Sequence, residues 1–260
     1  MKATVNGIDT CYELHGKEGA PWLAFSHSLA CSLRMWEGQV AALGGRFRIL
    51  VYDTRGHGQS AAPPGPYTLE ALADDLRALV SHLDIQRMHF VGLSLGGMIG
   101  QTFVLKYPGI VTRLVLADTG HAQTPEAVAQ WQERIGTAES KGMQPLVEST
   151  LARWFTEPFR KRRPEVVAKI GELIRKTPVA GYVGCCQAIS KLATTARLKD
   201  IKVPVLAIAG EQDAAAPGTR FIGETIPGAK LVMIAQAAHI ANIEQPEAFN
   251  AALESFLTRN

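Results

Sequence analysis

VGLSLGGMIG, residues 91–100, sets a single serine among four glycines, directly after the apolar run MHFV and before a helix-like stretch. Residues 92–96 fit the pattern G-x-S-x-G, which belongs to a strand that turns abruptly into a helix. Side chains flanking such a turn would collide, which accounts for Gly92, Gly96 and the neighbouring Gly97. The turn also forces Ser94 into strained backbone geometry and lifts its Oγ above the carboxyl edge of a sheet. The glycines provide sharpness rather than looseness, and the stretch demands a sheet around it.

That sheet is visible on either side. WLAF, FRILVY, MHFV, RLVLA, PVLAIA and KLVMIA are short and apolar throughout, as in strands covered by helices on both faces. Amphipathic patterns separate them. TLEALADDLRALVSHL places Leu69, Leu72, Leu76, Leu79, Val80 and Leu83 on one stripe with Thr68 as N-cap. QPEAFNAALESFL begins a helix at Pro246 and lines one face with Phe249, Leu253, Phe256 and Leu257. Asn6-Gly7 between two strand-like runs marks an opening hairpin. The fold class is α/β, with a mostly parallel, doubly wound sheet. Between His121 and Thr195 strand signals vanish, and four helical stretches are punctuated by Gly142, Pro158, Pro164 and Pro178. Strand-like sequence resumes at Pro204. Residues 1–120 and 196–260 read as one core, and residues 121–195 as a helical cap inserted into it.

Composition narrows the classes. With 260 residues, 47% hydrophobic and 20% charged, the chain suits one large core. It has no apolar run near the roughly 18–20 residues of a membrane span, and MKATVNGIDT lacks a secretory layout, so a cytoplasmic location is expected. A net charge of +3, without lysines and arginines interleaved with aromatics, argues against nucleic acid. The surplus sits in the cap, where 11 Lys or Arg face 7 Asp or Glu. Cys11, Cys31, Cys185 and Cys186 lack metal spacing and read as buried thiols. There is no metal constellation, phosphate loop or dinucleotide fingerprint, so no metal and no cofactor are expected. Whether the chain forms a homo-oligomer is left open.

A serine hydroxyl is a weak nucleophile and needs a base held by a carboxylate. GEQDAAAP, after the strand PVLAIA, offers Asp213; QAAHIANIEQPEAF, after KLVMIA, offers His239. Asp118 and Glu211 are rivals for the acid, but Asp213 lies on the loop that the order serine, acid, histidine expects. The oxyanion needs two amides fixed in advance. The Leu95 amide is one. By register with the His-Gly-type loops of such sheets, SHSLA after WLAF makes Leu29 the other, with Ser28 standing where glycine is usual. DTRGHGQS (53–60) reads as structural, shaped by Gly56 and Gly58 and tied by Asp53 and Arg55.

Taken together these residues resemble the α/β-hydrolase family over essentially the whole chain. More narrowly they look like the 3-oxoadipate enol-lactonases, through RMWEGQVAAL, YDTRGHGQSAAPPGPYTL, GLSLGGMIGQ, ARWFTEPFR and AGYVGCCQAI. The resemblance implies an α/β-hydrolase fold with a helical cap and a small-molecule lactone ester as substrate. It also implies a free carboxylate on that substrate, which the basic cap would attract. Arg134 or Arg153, near Trp131 and Trp154, would make the contact, while Arg160 to Arg163 read as solvated surface. The loop departs from the expected SNSLG at His27 and Ala30, which points to an altered substrate preference and adds His27 to the substrate-side candidates. The nearest alternative is a broad carboxylesterase, lactonase or perhydrolase acting on neutral esters. Haloalkane dehalogenases and epoxide hydrolases carry aspartate at the elbow, against Ser94. A non-enzymatic ligand receptor on the same scaffold is the remote alternative.

Overall fold

The structure, a computed structural model, describes residues 1–258. Strands β1 (Lys2–Val5) and β2 (Ile8–Gly16) form the hairpin expected at Asn6-Gly7, whose φ values of 48° and 76° are both left-handed. The sheet continues with β3 (Trp22–Ser26), β4 (Arg48–Tyr52), β5 (Met88–Leu93), β6 (Val111–Ala117), β7 (Val205–Gly210) and β8 (Lys230–Ile234). Their spatial order is β1-β2-β4-β3-β5-β6-β7-β8. The pairs β1–β2 and β2–β4 are antiparallel and the remainder parallel. Helices return the chain between the parallel strands: α1 (Glu37–Leu43), α2 (Leu69–His82) and α3 (Leu95–Lys106). In α2 the stripe from Leu69 to Val80 is buried, and the Thr68 hydroxyl accepts the Ala71 amide at 3.1 Å.

Parallel strands all end at one edge. The carboxyl ends of β3, β5, β6, β7 and β8 therefore deliver the loops carrying Leu29, Ser94, Asp118, Asp213 and His239 to the same side of the sheet. One expectation fails here: β8 is the edge strand, and only its Ile234 is buried. Its apolar run matches that of an interior strand, and what differs is the absence of a neighbour on its outer side.

The segment between β6 and β7 holds five helices, one more than the punctuation suggested: α4 (Pro125–Lys141), α5 (Gln144–Trp154), α6 (Glu157–Arg162), α7 (Pro164–Lys176) and α8 (Val179–Ser190). Pro158 sits in the first turn of α6, where its missing N–H costs nothing, so it starts a helix instead of ending one. The two chain crossings meet as a pair, with Thr194 N donating to His121 O at 2.8 Å and an isolated bridge between Ala122 and Ala193. Gln101 on α3 clamps this neck, donating to Gly120 O at 2.9 Å and accepting the Thr194 hydroxyl at 2.6 Å. The core then closes with α9 (Ala216–Thr225), α10 (Ala241–Glu244) and α11 (Pro246–Leu257).

The loop 53–60 joins the sheet to the helices between β6 and β7. Arg55 grips Asp75 on α2 through Nε and Nη2 at 2.7 and 2.6 Å, while Asp53 accepts the amides of Leu33 and Gln59, each at 2.8 Å. Gly56 meets Gly181 of α8 backbone to backbone: a Cβ on Gly181 would lie 2.0 Å from Gly56 O. Gly181→Ala is expected to push α8 off this loop and lower stability by about 1–3 kcal/mol, the range of overpacking. A urea melt beside the parent protein checks this; an unchanged midpoint would mean the contact is slack.

Candidate active site

Ser94 joins β5 to α3 at φ 56° and ψ −114°, left-handed geometry that a serine adopts at a cost of about 1–3 kcal/mol. Its backbone is pinned on three sides: the amide donates to Ala117 O at 2.9 Å, and the carbonyl accepts Met98 N at 3.1 Å and the Thr119 hydroxyl at 2.8 Å. The glycines are a steric requirement. A Cβ on Gly92 would lie 2.2 Å from Gly96 O, one on Gly96 2.1 Å from Ser26 O, and one on Gly97 2.7 Å from the Thr119 methyl.

His239 lies on the loop after β8, and its Nδ1 is 3.0 Å from each oxygen of Asp213 on the loop after β7. Asp213 also accepts the Ala215 amide at 3.0 Å. Burial would raise the Asp213 carboxyl, but the facing imidazole and these donors hold it below the usual range. A carboxylate so placed makes Nδ1 the protonated nitrogen, which frees Nε2 as a base. Ser94, Asp213 and His239 all line one cavity of about 500 Å³. A second cavity, of about 230 Å³ between α7 and the 53–60 loop, shares no lining residue with it.

The loop after β3 offers amides to the same cavity. Ser28 N is taken by Met35 Sδ at 3.3 Å, Ala30 N by His57 Nε2 at 2.9 Å and Cys31 N by Ser28 O at 3.2 Å. Among the described residues the Leu29 amide is left without an acceptor, as is that of Leu95 at the start of α3. Ala30 takes φ 57°, which explains why glycine is the residue expected there.

His27 is not where a substrate contact would be. Its ring is fully buried and absent from the cavity wall, with Nε2 accepting Thr54 N at 2.9 Å and Nδ1 donating to Ser28 O at 2.7 Å. It packs beside His57, tilted by 57° at 5.3 Å between centroids, and the two rings staple the loop to the 53–60 segment. Burial lowers His27 to about 4 and His57 to about 3. The side-chain departure at residue 27 thus acts on the backbone of the loop after β3.

Trp131, Arg134, Arg153 and Trp154 do line the cavity. Arg134 is fixed, donating from Nε to the Tyr182 hydroxyl and from Nη2 to Thr150 Oγ1, both at 2.9 Å, with Trp131 beneath it. Arg153 has no hydrogen bond or ion pair among the described residues. It is exposed by area, yet its guanidinium is desolvated: burial first, then the like charge of Arg134, lower it from its usual value. Among the described residues neither arginine is ion-paired to a carboxylate, although the Asp213 charge acts on Arg153 through space.

Sequence reasoning missed Glu244. Fully enclosed on α10, its carboxylate accepts Ala238 N at 2.9 Å, Thr156 N at 3.1 Å and the Thr156 hydroxyl. It ties the residue preceding His239 to the segment between α5 and α6. Ile240 N adds a bond to Trp154 O at 3.2 Å. Nothing local marks this role, since IEQPEAF also reads as an ordinary helix start.

A serine on a strand-to-helix elbow, with a histidine and a carboxylate delivered by the last two strands, defines the class. The chain belongs to the α/β-hydrolase family, whose fold residues 21–246 match, and it is a hydrolytic enzyme. It is 37% identical over 259 residues to 3-oxoadipate enol-lactonase 2 of Acinetobacter baylyi, spanning 98% of this chain and 96% of that one. The crystal structure of the enol-lactonase from Burkholderia xenovorans covers 100% of both chains at 39% identity, with a TM-score of 0.96. A protein named for carbamate hydrolysis, RutD of Agrobacterium fabrum, is 31% identical, over 95% of this chain and 97% of its own. Among the described residues no helix is long and apolar enough to cross a membrane, and all four cysteines are free and buried.

The depressed histidines fix a pH response. The unfolded chain binds protons at His27 more readily than the folded one, so stability present above about pH 6.5 is lost as pH falls toward 4. His27→Asn cannot titrate, and the loss of stability between pH 7.5 and pH 5, followed by urea melts, is expected to be smaller than in the parent. Equal losses would remove His27 from the account.

Proposed function

We propose that Ser94, His239 and Asp213 form a catalytic triad that opens an anionic lactone ester, 3-oxoadipate enol-lactone, to 3-oxoadipate in aromatic-acid catabolism. His239 Nε2 takes the Ser94 proton as Oγ attacks the lactone carbonyl, and Asp213 stabilises the imidazolium that forms. The Leu29 and Leu95 amides bind the developing oxyanion without reorganising. Collapse breaks the ring C–O bond, the leaving enolate oxygen takes the proton from His239, and the opened chain stays attached as an acyl-serine. A water activated by His239 then releases the acid.

The observation that carries the substrate reading is Arg153, a cation on the wall of the Ser94 cavity that, among the described residues, lacks a directly paired counter-charge and feels an acid, Asp213, only through space. A carboxylate remote from the lactone supplies that charge, with Arg134 as second donor. Likeness to the enol-lactonases supports the same choice. A second reading, a broad carboxylesterase or lactonase on neutral esters, is favoured by the apolar side of the cavity, where Met98, Trp131 and Trp154 lie.

Turnover of the enol-lactone beside short aryl esters and a simple carbamate separates these readings, and preference for the neutral substrates would overturn the first. Ser94→Ala is expected to lower kcat by about 10⁴-fold or more and to abolish labelling by a fluorophosphonate probe. Labelling elsewhere with activity retained would end the triad assignment. Arg153→Ala is expected to raise KM for the enol-lactone by about 10–100-fold, the value of a lost charge-assisted hydrogen bond, and to leave neutral aryl esters unchanged. An unaltered ratio of the two activities would rule out the carboxylate contact.

A further inference from the structure

Asp118, at the end of β6, is fully buried and held at φ 45°, so backbone strain is accepted to keep it in place. Its Oδ1 accepts the Gly210 amide at 2.8 Å, while its Oδ2 has no donor. The charged group that acts on it is the Asp213 carboxylate, within side-chain hydrogen-bonding reach and paired on its other side with His239; the Gly210 and Ala241 amides face Asp118, and no cation is among the groups that act on it. Asp213 is the ionised member of the pair, because it receives His239 and the Ala215 amide. A second carboxylate buried against it would add a charge with nothing to offset it and leave Oδ2 unpaired. A carboxylic acid in the same place removes both costs, since the charge is gone and Oδ2 becomes a donor facing an acceptor.

We propose that Asp118 is a positioning residue, a neutral carboxylic acid whose Oδ2–H donates to the Asp213 carboxylate and fixes it against the His239 ring. Burial, then the negative charge of Asp213, pushes the Asp118 carboxyl well above its usual range. The same contact helps to hold Asp213 below its own. Asp118 acts through Asp213: the donated bond occupies a lone pair that would otherwise compete for the imidazole proton, and it stops the carboxylate from rotating away from Nδ1. The proposal rests on the triad reading above.

Infrared difference spectra of ¹³C-aspartate-labelled parent protein against Asp118→Asn at pH 8 test the protonation directly. A protonated carboxyl C=O stretch present in the parent and lost in the variant is expected. Asp118→Asn keeps an acceptor for Gly210 and an N–H donor for Asp213. Its kcat on a reference ester is expected to stay within about 3-fold, with the acid limb of the kcat/KM profile unmoved, whereas Asp118→Ala loses roughly 10–100-fold in kcat at constant KM. If Asp118 is instead ionised, no such stretch is seen, and removing its charge in Asp118→Asn moves the acid limb down by about one pH unit, which overturns the proposal. The infrared result needs no turnover, so it stands apart from the Ser94 experiments that decide the triad.

Discussion

The first turn of α3 lies so close to the end of β3 that only a hydrogen fits between Gly96 and the Ser26 carbonyl, and the site depends on that approach. It holds Ser94 in left-handed geometry, turns the Leu95 amide outward and brings the Leu29 loop alongside. The strain is small beside what anchors it. Leu95, Ile99 and Phe103 of α3 are fully buried, and each such side chain contributes about 1.5–3 kcal/mol. A helix so firmly packed cannot retreat to relieve one residue.

Charge divides the cavity. On the sheet side lie Asp213 and Asp118, with His239 above them; on the helical side lie Arg134 and Arg153, without ion pairs among the described residues. The anionic substrate proposed above would fit this arrangement, its negative end toward the arginines and its carbonyl toward Ser94. The separation leaves Asp213 hydrogen-bonded to His239 rather than ion-paired to an arginine, with Arg153 acting on it only through space. Arg134, held by Tyr182 and Thr150, is a fixed charge rather than a searching one.

What the sequence reveals follows from range. The elbow, the Asn6-Gly7 hairpin, the α2 stripe and the Pro246 start are local patterns, and the structure contains each of them. The exposed face of β8 was illegible because it depends on which strand lies beside it. Pro158 misled because proline both ends and begins helices, and only the register distinguishes them. His27 drew attention as a departure within a site loop, yet its ring faces Thr54 and Ser28 rather than the cavity, and that direction is set by a segment about 27 residues away. Glu244 gave no signal, since its partners Thr156 and Ala238 become neighbours only after folding.

Glu244 also limits how freely the helical segment can be exchanged for another. Its carboxylate is closed in by Thr156 from one unit and by the loop before His239 from the other. A foreign set of helices lacking a hydroxyl at that one point would leave this buried carboxylate with backbone amides as its only donors, next to the loop that carries His239. Exchange of the helical segment is therefore best tolerated where the incoming segment keeps this hydroxyl, so that one small side chain weighs on which transplants the core accepts.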